Sequence, residues 1–191
     1  TWTRHLSRIV DHITFTADSY YGLVTDKIVA VPTMFIWKMT NLGKVRSLGA
    51  DVTMNASLIW CKGWSSDLLL TYDYLHAVDR TTRGGATYNN QIAYTQRNAG
   101  SASVMIHSPW ADLTYNLVLT GTRYTMNYNG PENHLPSILD HSLSLSRSFP
   151  LRRHSLRLQL DVLNLGGKNY EVIRFYPMPG TNFRLQAEWK F

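Results

Sequence analysis

Residues 181–191 read TNFRLQAEWKF. Phe183, Leu185, Ala187, Trp189 and Phe191 alternate with Arg184, Gln186, Glu188 and Lys190. A strand sends successive side chains to opposite faces, so this stretch has one oily face and one charged face. In a soluble sandwich the charged face meets water and the oily face meets a core. In an outer-membrane barrel the oily face meets lipid, and the charged face meets a wet or plugged lumen. A final aromatic residue in phase with the oily face favours the barrel, because a soluble edge strand has no particular reason to end that way.

Working back from that stretch, period-two alternation recurs, and helical three-four spacing is never sustained. Ile13, Phe15, Ala17, Tyr21 and Leu23 form one oily phase, and Leu48, Ala50, Val52, Met54, Ala56, Leu58 and Trp60 form the next. Leu68, Leu70, Tyr72 and Tyr74 follow, then the weaker Ala102, Val104 and Ile106. Leu113, Tyr115, Leu117 and Leu119, the serine-flanked Leu143 and Leu145, and Leu156, Leu158, Leu160 and Val162 complete the set before the terminal stretch. The pattern predicts an all-β chain, an antiparallel meander of about eight strands. Its connections alternate in length. Cys61-Lys62-Gly63, Ser108-Pro109-Trp110-Ala111 and residues 150–154 are short, whereas residues 79–91 and 128–136 are longer and rich in loop residues. Outer-membrane barrels pair tight periplasmic turns with long external loops, which puts Phe191 at the periplasmic end.

Two further features fit lipid. The oily phase from Leu48 to Trp60, at a rise of roughly 3.3 Å and a tilt of about 45°, spans about 28 Å, close to an apolar band of about 25 Å. Beyond it the same phase turns to Arg46 and Lys44, cations that either meet lipid headgroups or are simply solvated. Trp60, Trp64, Trp110, Phe149, Trp189 and Phe191 all lie beside the short turns, as an interfacial girdle would. Composition agrees: charged residues are 17% of 191, below the roughly 25% of ordinary soluble domains. Mean hydropathy is −0.22, which is unremarkable because transmembrane strands alternate. Cys61 is the single cysteine, so neither an intrachain disulfide nor a multi-cysteine metal site is available. The chain opens at Thr1 without a Met and reads as a piece of a longer protein.

Several motifs carry a family likeness. Asn164-Leu165-Gly166-Gly167-Lys168-Asn169-Tyr170-Glu171, then Tyr176-Pro177-Met178-Pro179-Gly180 and the strand to Phe191, resemble the carboxyl end of TonB-dependent outer-membrane receptors. So do Asn41-Leu42-Gly43-Lys44-Val45 with Gly49-Ala50-Asp51, and Gly121-Thr122-Arg123-Tyr124. Within that family the run of motifs is most similar to the cobalamin and siderophore receptors, cobalamin slightly ahead. The resemblance implies that residues 1–191 are the carboxyl-terminal segment of a large transmembrane barrel in a Gram-negative outer membrane. The plug domain and TonB box that the family uses for energy coupling are not in these residues. It further implies TonB-coupled uptake of a large scarce nutrient such as cobalamin or a ferric siderophore, with TonB acting through the missing plug. Outer-membrane lipid and the assembly machinery would be the other partners, and Phe191 would be part of the signal that machinery reads. A cut barrel would leave open strand edges, so the piece would close on itself, pair with another copy, or sit in a larger assembly.

Other chemistries fit less well. His5, His12, His76, His107, His134, His141 and His154 are scattered with no ligand-spaced pair on one strand face, so no metal and no cofactor is expected. Ser142 and His141 are adjacent on a strand and face opposite ways, which is wrong for a nucleophile and its base. The chain reads as a non-enzyme; an outer-membrane protease- or lipase-type barrel is the alternative from another class. A soluble lipocalin-like barrel, with the oily phase inside, is the third. The pI near 9.5 comes from dispersed cations without a stacking stripe, so nucleic acid is not expected. Substrate contacts would come from the external loops, where Arg80, Arg83, Tyr88, Asn89, Asn90, Tyr128, Asn129, Asn133 and His134 are the candidates.

Overall fold

The structure is a computed structural model that describes residues 2–4, 10–32 and 36–191. His5 lies outside the described residues. The strands are β1 (Trp2–Arg4), β2 (Val10–Pro32), β3 (Trp37–Cys61), β4 (Trp64–Asp79), β5 (Asn98–His107), β6 (Asp112–Thr120), β7 (Arg123–Tyr124), β8 (His134–Leu135), β9 (Ile138–Leu151), β10 (His154–Leu163), β11 (Glu171–Ile173), β12 (Tyr176–Pro177) and β13 (Asn182–Lys190). Nine of them form one antiparallel sheet in the order β1-β2-β3-β4-β5-β6-β9-β10-β13. The eight long ones are the eight expected, and β1 adds a short partner along Ile13–Phe15. The small pairs β7-β8 and β11-β12 lie inside long connections. The only helical element among the described residues is a single 3-10 turn, Pro131–Asn133.

Register carries the two-faced pattern across the whole sheet. Asp18 lies beside Asp51, and Asp51 beside Asp73. Ser103 is beside Asn116, Asn116 beside Ser142, Ser144 beside Asp161, and Asp161 beside Arg184. The oily phase is equally continuous through Leu145, Leu160 and Leu185. A slip of one residue in any strand would mix the two faces.

Burial is inverted relative to a water-soluble protein. Phe183 and Leu185 are 72% and 75% exposed, while the Asp161 carboxylate is 0% exposed and Ser146 is buried. Asp161 accepts hydrogen bonds from Arg184 Nε at 2.9 Å, Gln186 Nε2 at 3.3 Å and Gln159 Nε2 at 2.8 Å. A polar ladder runs between strands on the same face. Ser57 donates to Asp67 at 2.5 Å, and His107 bridges Asp67 at 3.0 Å and Asp112 at 2.9 Å. The buried Asp161 is thus fully paired, and the half-exposed groups of the ladder are paired with one another. The arrangement is polar inside and apolar outside, the reverse of a lipocalin-like barrel.

Trp60 and Trp64 flank the turn at Lys62-Gly63, and Trp110 stands in the turn 108–111, edge-on to Trp64 at 5.8 Å. Trp189 stacks on His154 at 5.7 Å beside the turn at Arg152-Arg153, and Phe191 meets the same imidazole edge-on at 6.4 Å. All six girdle aromatics therefore gather at the short-turn end.

Two departures from the sequence reading have physical causes. β2 and β3 run far beyond the segments centred on Ile13–Leu23 and Leu48–Trp60, pairing as far as Pro32 with Trp37. β4 stops against Val45, so among the described residues the outer part of this hairpin has no further neighbour on that side, and its Ile28, Trp37 and Met39 are exposed. Asp26 interrupts the alternation there with φ 53°. The loop after β4 extends through residue 97, beyond Gln91, because Val78 bridges Gln91 and the chain doubles back. The sheet does not close: β1 pairs only with β2 and β13 only with β10 among the described residues. Of the three outcomes open for a cut barrel, closure into a small one is not observed.

Candidate functional site

The long connections 80–97, 121–137 and 164–181 share the end opposite the aromatic girdle. The first folds inward. Ile92 packs on Leu42, Val45 and Ala77, the one buried apolar cluster among the described residues. Asp79 holds the base of this loop, accepting from Thr81 N at 2.8 Å and Thr87 Oγ1 at 2.6 Å. Burial pushes the Asp79 carboxyl up, but those hydrogen bonds outweigh it and leave it below the ordinary value.

The second loop is laced to the first. Asn129 grips the backbone of Gln91 from both sides, Oδ1 accepting from its N–H at 2.6 Å and Nδ2 donating to its carbonyl at 3.0 Å. Asn127 Oδ1 accepts from Ala93 N at 2.9 Å, and Tyr94 N donates to Tyr124 O at 2.7 Å. The third loop is tied to the second by Arg123, 2% exposed, whose Nη2 donates to Glu171 O at 2.7 Å and Val172 O at 2.9 Å. Arg174 returns the tie by donating to Glu132 O.

Within the third loop, Asn164 sits in the left-handed region at φ 48°. Its Nδ2 donates to Lys168 O at 2.9 Å and Pro179 O at 3.0 Å, while Oδ1 accepts from Lys168 N at 3.2 Å. Asparagine tolerates that backbone and fills those bonds at once. Asn164→Ala loses both and is expected to be the worse variant; Asn164→Gly loses only the bonds and should be milder by about 1 kcal/mol. Hydrogen exchange at the Lys168 amide ranks them, and the opposite ranking would deny the conformational role.

The nine candidate residues differ in how far their side chains are already engaged. Arg80 donates to the Tyr88 hydroxyl at 2.8 Å and lies over its ring at 5.1 Å; the bonds from Arg80 and then Arg83 hold this phenol below its usual value. Asn89 is exposed at φ 66°, and its N–H donates to Asp79 O at 2.9 Å. Asn90 Nδ2 donates to Ala86 O at 3.2 Å. Asn133 is buried, donating to Tyr128 O at 3.0 Å. Asn90, Asn129 and Asn133 thus spend their side chains on holding loops. Arg83, Tyr128 and His134 present theirs outward, His134 edge-on to Tyr124 at 5.8 Å.

His134 alone of the nine lines a cleft of about 460 Å³ between the second and third loops. Lys168, Asn169, Tyr170, Glu171 and Arg174 form its other polar wall. Tyr170 donates to Asp140 Oδ2 at 2.8 Å, and burial together with that acceptor pushes its phenol up to about 12. Two cations and an imidazole against the single carboxylate of Glu171, around an open cleft, suit a ligand carrying oxygen acceptors; the Tyr170 proton is already committed to Asp140. Of these wall residues, Lys168 to Glu171 are readable in the sequence only as part of the Asn164–Glu171 motif, and Arg174 lies beyond it. The Gly166-Gly167 pair and the prolines at 177 and 179 were the loop signal.

An open sheet with an oily exterior, a polar inner face, a one-ended aromatic girdle and interlaced loops at the other end defines an outer-membrane receptor-type barrel wall. The family described as TonB dependent receptor-like, beta-barrel matches residues 6–165, and the chain belongs to it. That places it in the Gram-negative outer membrane. Two solved structures share the fold. One is BauA, the ferric preacinetobactin receptor from Acinetobacter baumannii, at 14% identity and TM-score 0.60, covering 92% of this chain and 26% of that one. The other is the copper transporter OprC, at 16% identity and TM-score 0.58, covering 93% of this chain and 28% of that one. The chain therefore spans only about a quarter of the length of either. No curated protein matches it in sequence.

Proposed function

We propose that this chain is the carboxyl-terminal wall and mouth of a receptor that takes up a large scarce nutrient through the outer membrane, powered by TonB. The observation that carries the reading is the lacing of three long loops over the polar end of the inner face, the second and third of which frame the 460 Å³ cleft. A ferric siderophore or cobalamin is the proposed cargo, and the likeness to an iron-chelate receptor and a copper transporter supports a metal-bearing one. Arg83, Tyr128 and His134, with Lys168 and Tyr170, are the proposed first contacts. The plug, the TonB box and the remaining strands would come from sequence outside these residues. A soluble lipocalin-like role finds no support in the faces.

Cells lacking the intact gene should lose accumulation of labelled ferric siderophore or cobalamin, and cells lacking TonB should lose it equally. Accumulation that persists without TonB would overturn the reading.

Phe191 is 96% exposed at the girdle, free of any role in packing an interior. We assign it to the signal read by the assembly machinery. Its deletion in the intact receptor should lower the outer-membrane level in cells far more than it lowers refolding yield in detergent. Equal losses in both assays would make it an ordinary girdle aromatic.

A further inference from the structure

The outward face of β9, β10 and β13 carries one permanent cation. Register places three rows side by side there: Phe149, Leu156 and Trp189; then Arg147, Leu158 and Ala187; then Leu145, Leu160 and Leu185. None of the residues in these rows is a carboxylate. Arg147 is one row above the girdle, where a guanidinium in hydrocarbon is costly. Its Cζ sits 5.0 Å from the centroid of the Phe149 ring, two residues nearer the turn, so the side chain bends down toward the interface. Among the described residues no hydrogen bond or ion pair is formed by its guanidinium. Below it, exposed in the turn, stand Arg152 and Arg153.

Beside Arg147 is a groove of about 310 Å³ whose walls include Trp110, Leu145, Phe149, Leu158 and Leu185. Its occupant must satisfy a forked cation at the girdle and an apolar channel that rises from it into the membrane. A planar guanidinium binds phosphate through two parallel bonds, and cations at a membrane surface draw anionic headgroups. An anion without a tail leaves the channel empty, and a hydrocarbon without a charge leaves the guanidinium unmatched.

We propose that this groove is a binding site for a glycerophospholipid of the periplasmic leaflet. The phosphate sits on Arg147 and the first part of an acyl chain lies between Leu145, Leu158 and Leu185. The short-turn end of the barrel faces that leaflet, which is the reason for assigning a phospholipid and not the phosphorylated lipid A of the opposite leaflet. The site joins the β9–β10 hairpin to the terminal strand β13, so a bound lipid braces the last strand at its girdle end.

The test uses the intact receptor in detergent, titrated with phosphatidylglycerol and followed by native mass spectrometry. Arg147→Gln removes the cation; Leu145→Trp keeps it and fills the groove. Both variants are first checked for folding by their heat-resistant gel migration, and if one fails the other still decides. The wild type should hold at least one phospholipid, and the folded variants should need about tenfold more lipid to reach the same occupancy. Retention of that lipid at wild-type strength in either folded variant overturns the proposal. So does displacement of phosphatidylglycerol by equimolar lipid A, which would assign the phosphate to the other leaflet's lipid.

Discussion

Leu160→Arg is expected to destabilise the lipid-folded receptor by about 2–4 kcal/mol, the penalty for a cation at the bilayer midplane on a barrel's outer face. Leu160 lies between Leu145 and Leu185 across the strands, two rows above the girdle row and within the oily band. From there an arginine must either remain in hydrocarbon or stretch past Leu156 and Trp189 to reach the headgroups. The neighbouring residue provides the control. Gln159 points to the opposite, polar face, where it donates to Asp161 at 2.8 Å. Gln159→Arg adds the same charge to the same strand beside a buried carboxylate and should cost under about 1 kcal/mol. Urea unfolding of both variants from phospholipid vesicles measures the contrast. Equal costs would mean that the two faces do not meet different solvents, and the lipid assignment would fall.

That contrast rests on what was legible in the sequence, and the reason is physical. Lipid on one side and a polar interior on the other force a period of two, so each of the eight long strands could be located from alternation alone. The weakest, around Ala102–Ile106, lies within β5 because its small residues still keep phase with Leu117 and Tyr115 opposite. The signal failed where the constraint did. Beyond Leu23 and before Leu48, the hairpin arms run past the end of β4 and Asp26 at φ 53° breaks the alternation, while backbone pairing continues to Pro32 and Trp37. Pairing needs only backbone groups, which every sequence supplies.

The mouth was harder to read for a different reason. Loop composition identifies residues that can bind, such as Asn129 and Asn133, but not which of their bonds are already committed within the protein. Asn129 is engaged by Gln91 and Asn133 by Tyr128, so neither side chain is idle. Lys168 and Tyr170 went unnamed as contacts because the motif that contains them was informative as a family likeness and silent about a cleft. His134 reached the cleft wall through its position after the 3-10 turn, a placement no local pattern encodes.

Arg123→Met is expected to release the third loop while leaving the barrel intact. Methionine keeps most of the volume and the apolar stem, so the variant isolates the two donated bonds. Without them the carbonyls of Glu171 and Val172 lose the donor that the buried Arg123 brings to them. An unsatisfied buried acceptor costs ~1–3 kcal/mol, and the loop can avoid that cost by swinging its β11 segment into water. The loss therefore appears as local opening and not as global unfolding, because the lipid-anchored strands beneath do not depend on Arg123. At 1.4 kcal/mol per factor of ten, the open population should rise about tenfold or more. Limited proteolysis within residues 164–181 should accelerate by that factor, with the urea midpoint of the barrel unchanged. Affinity for the cargo should fall in the same variant, since Tyr170, Glu171 and Arg174 move with the loop and line the cleft. A variant that is cut no faster than wild type would show that Arg174 and the Asn164 bonds hold the loop without help. A variant whose barrel midpoint drops with the loop would show that mouth and wall unfold as one unit.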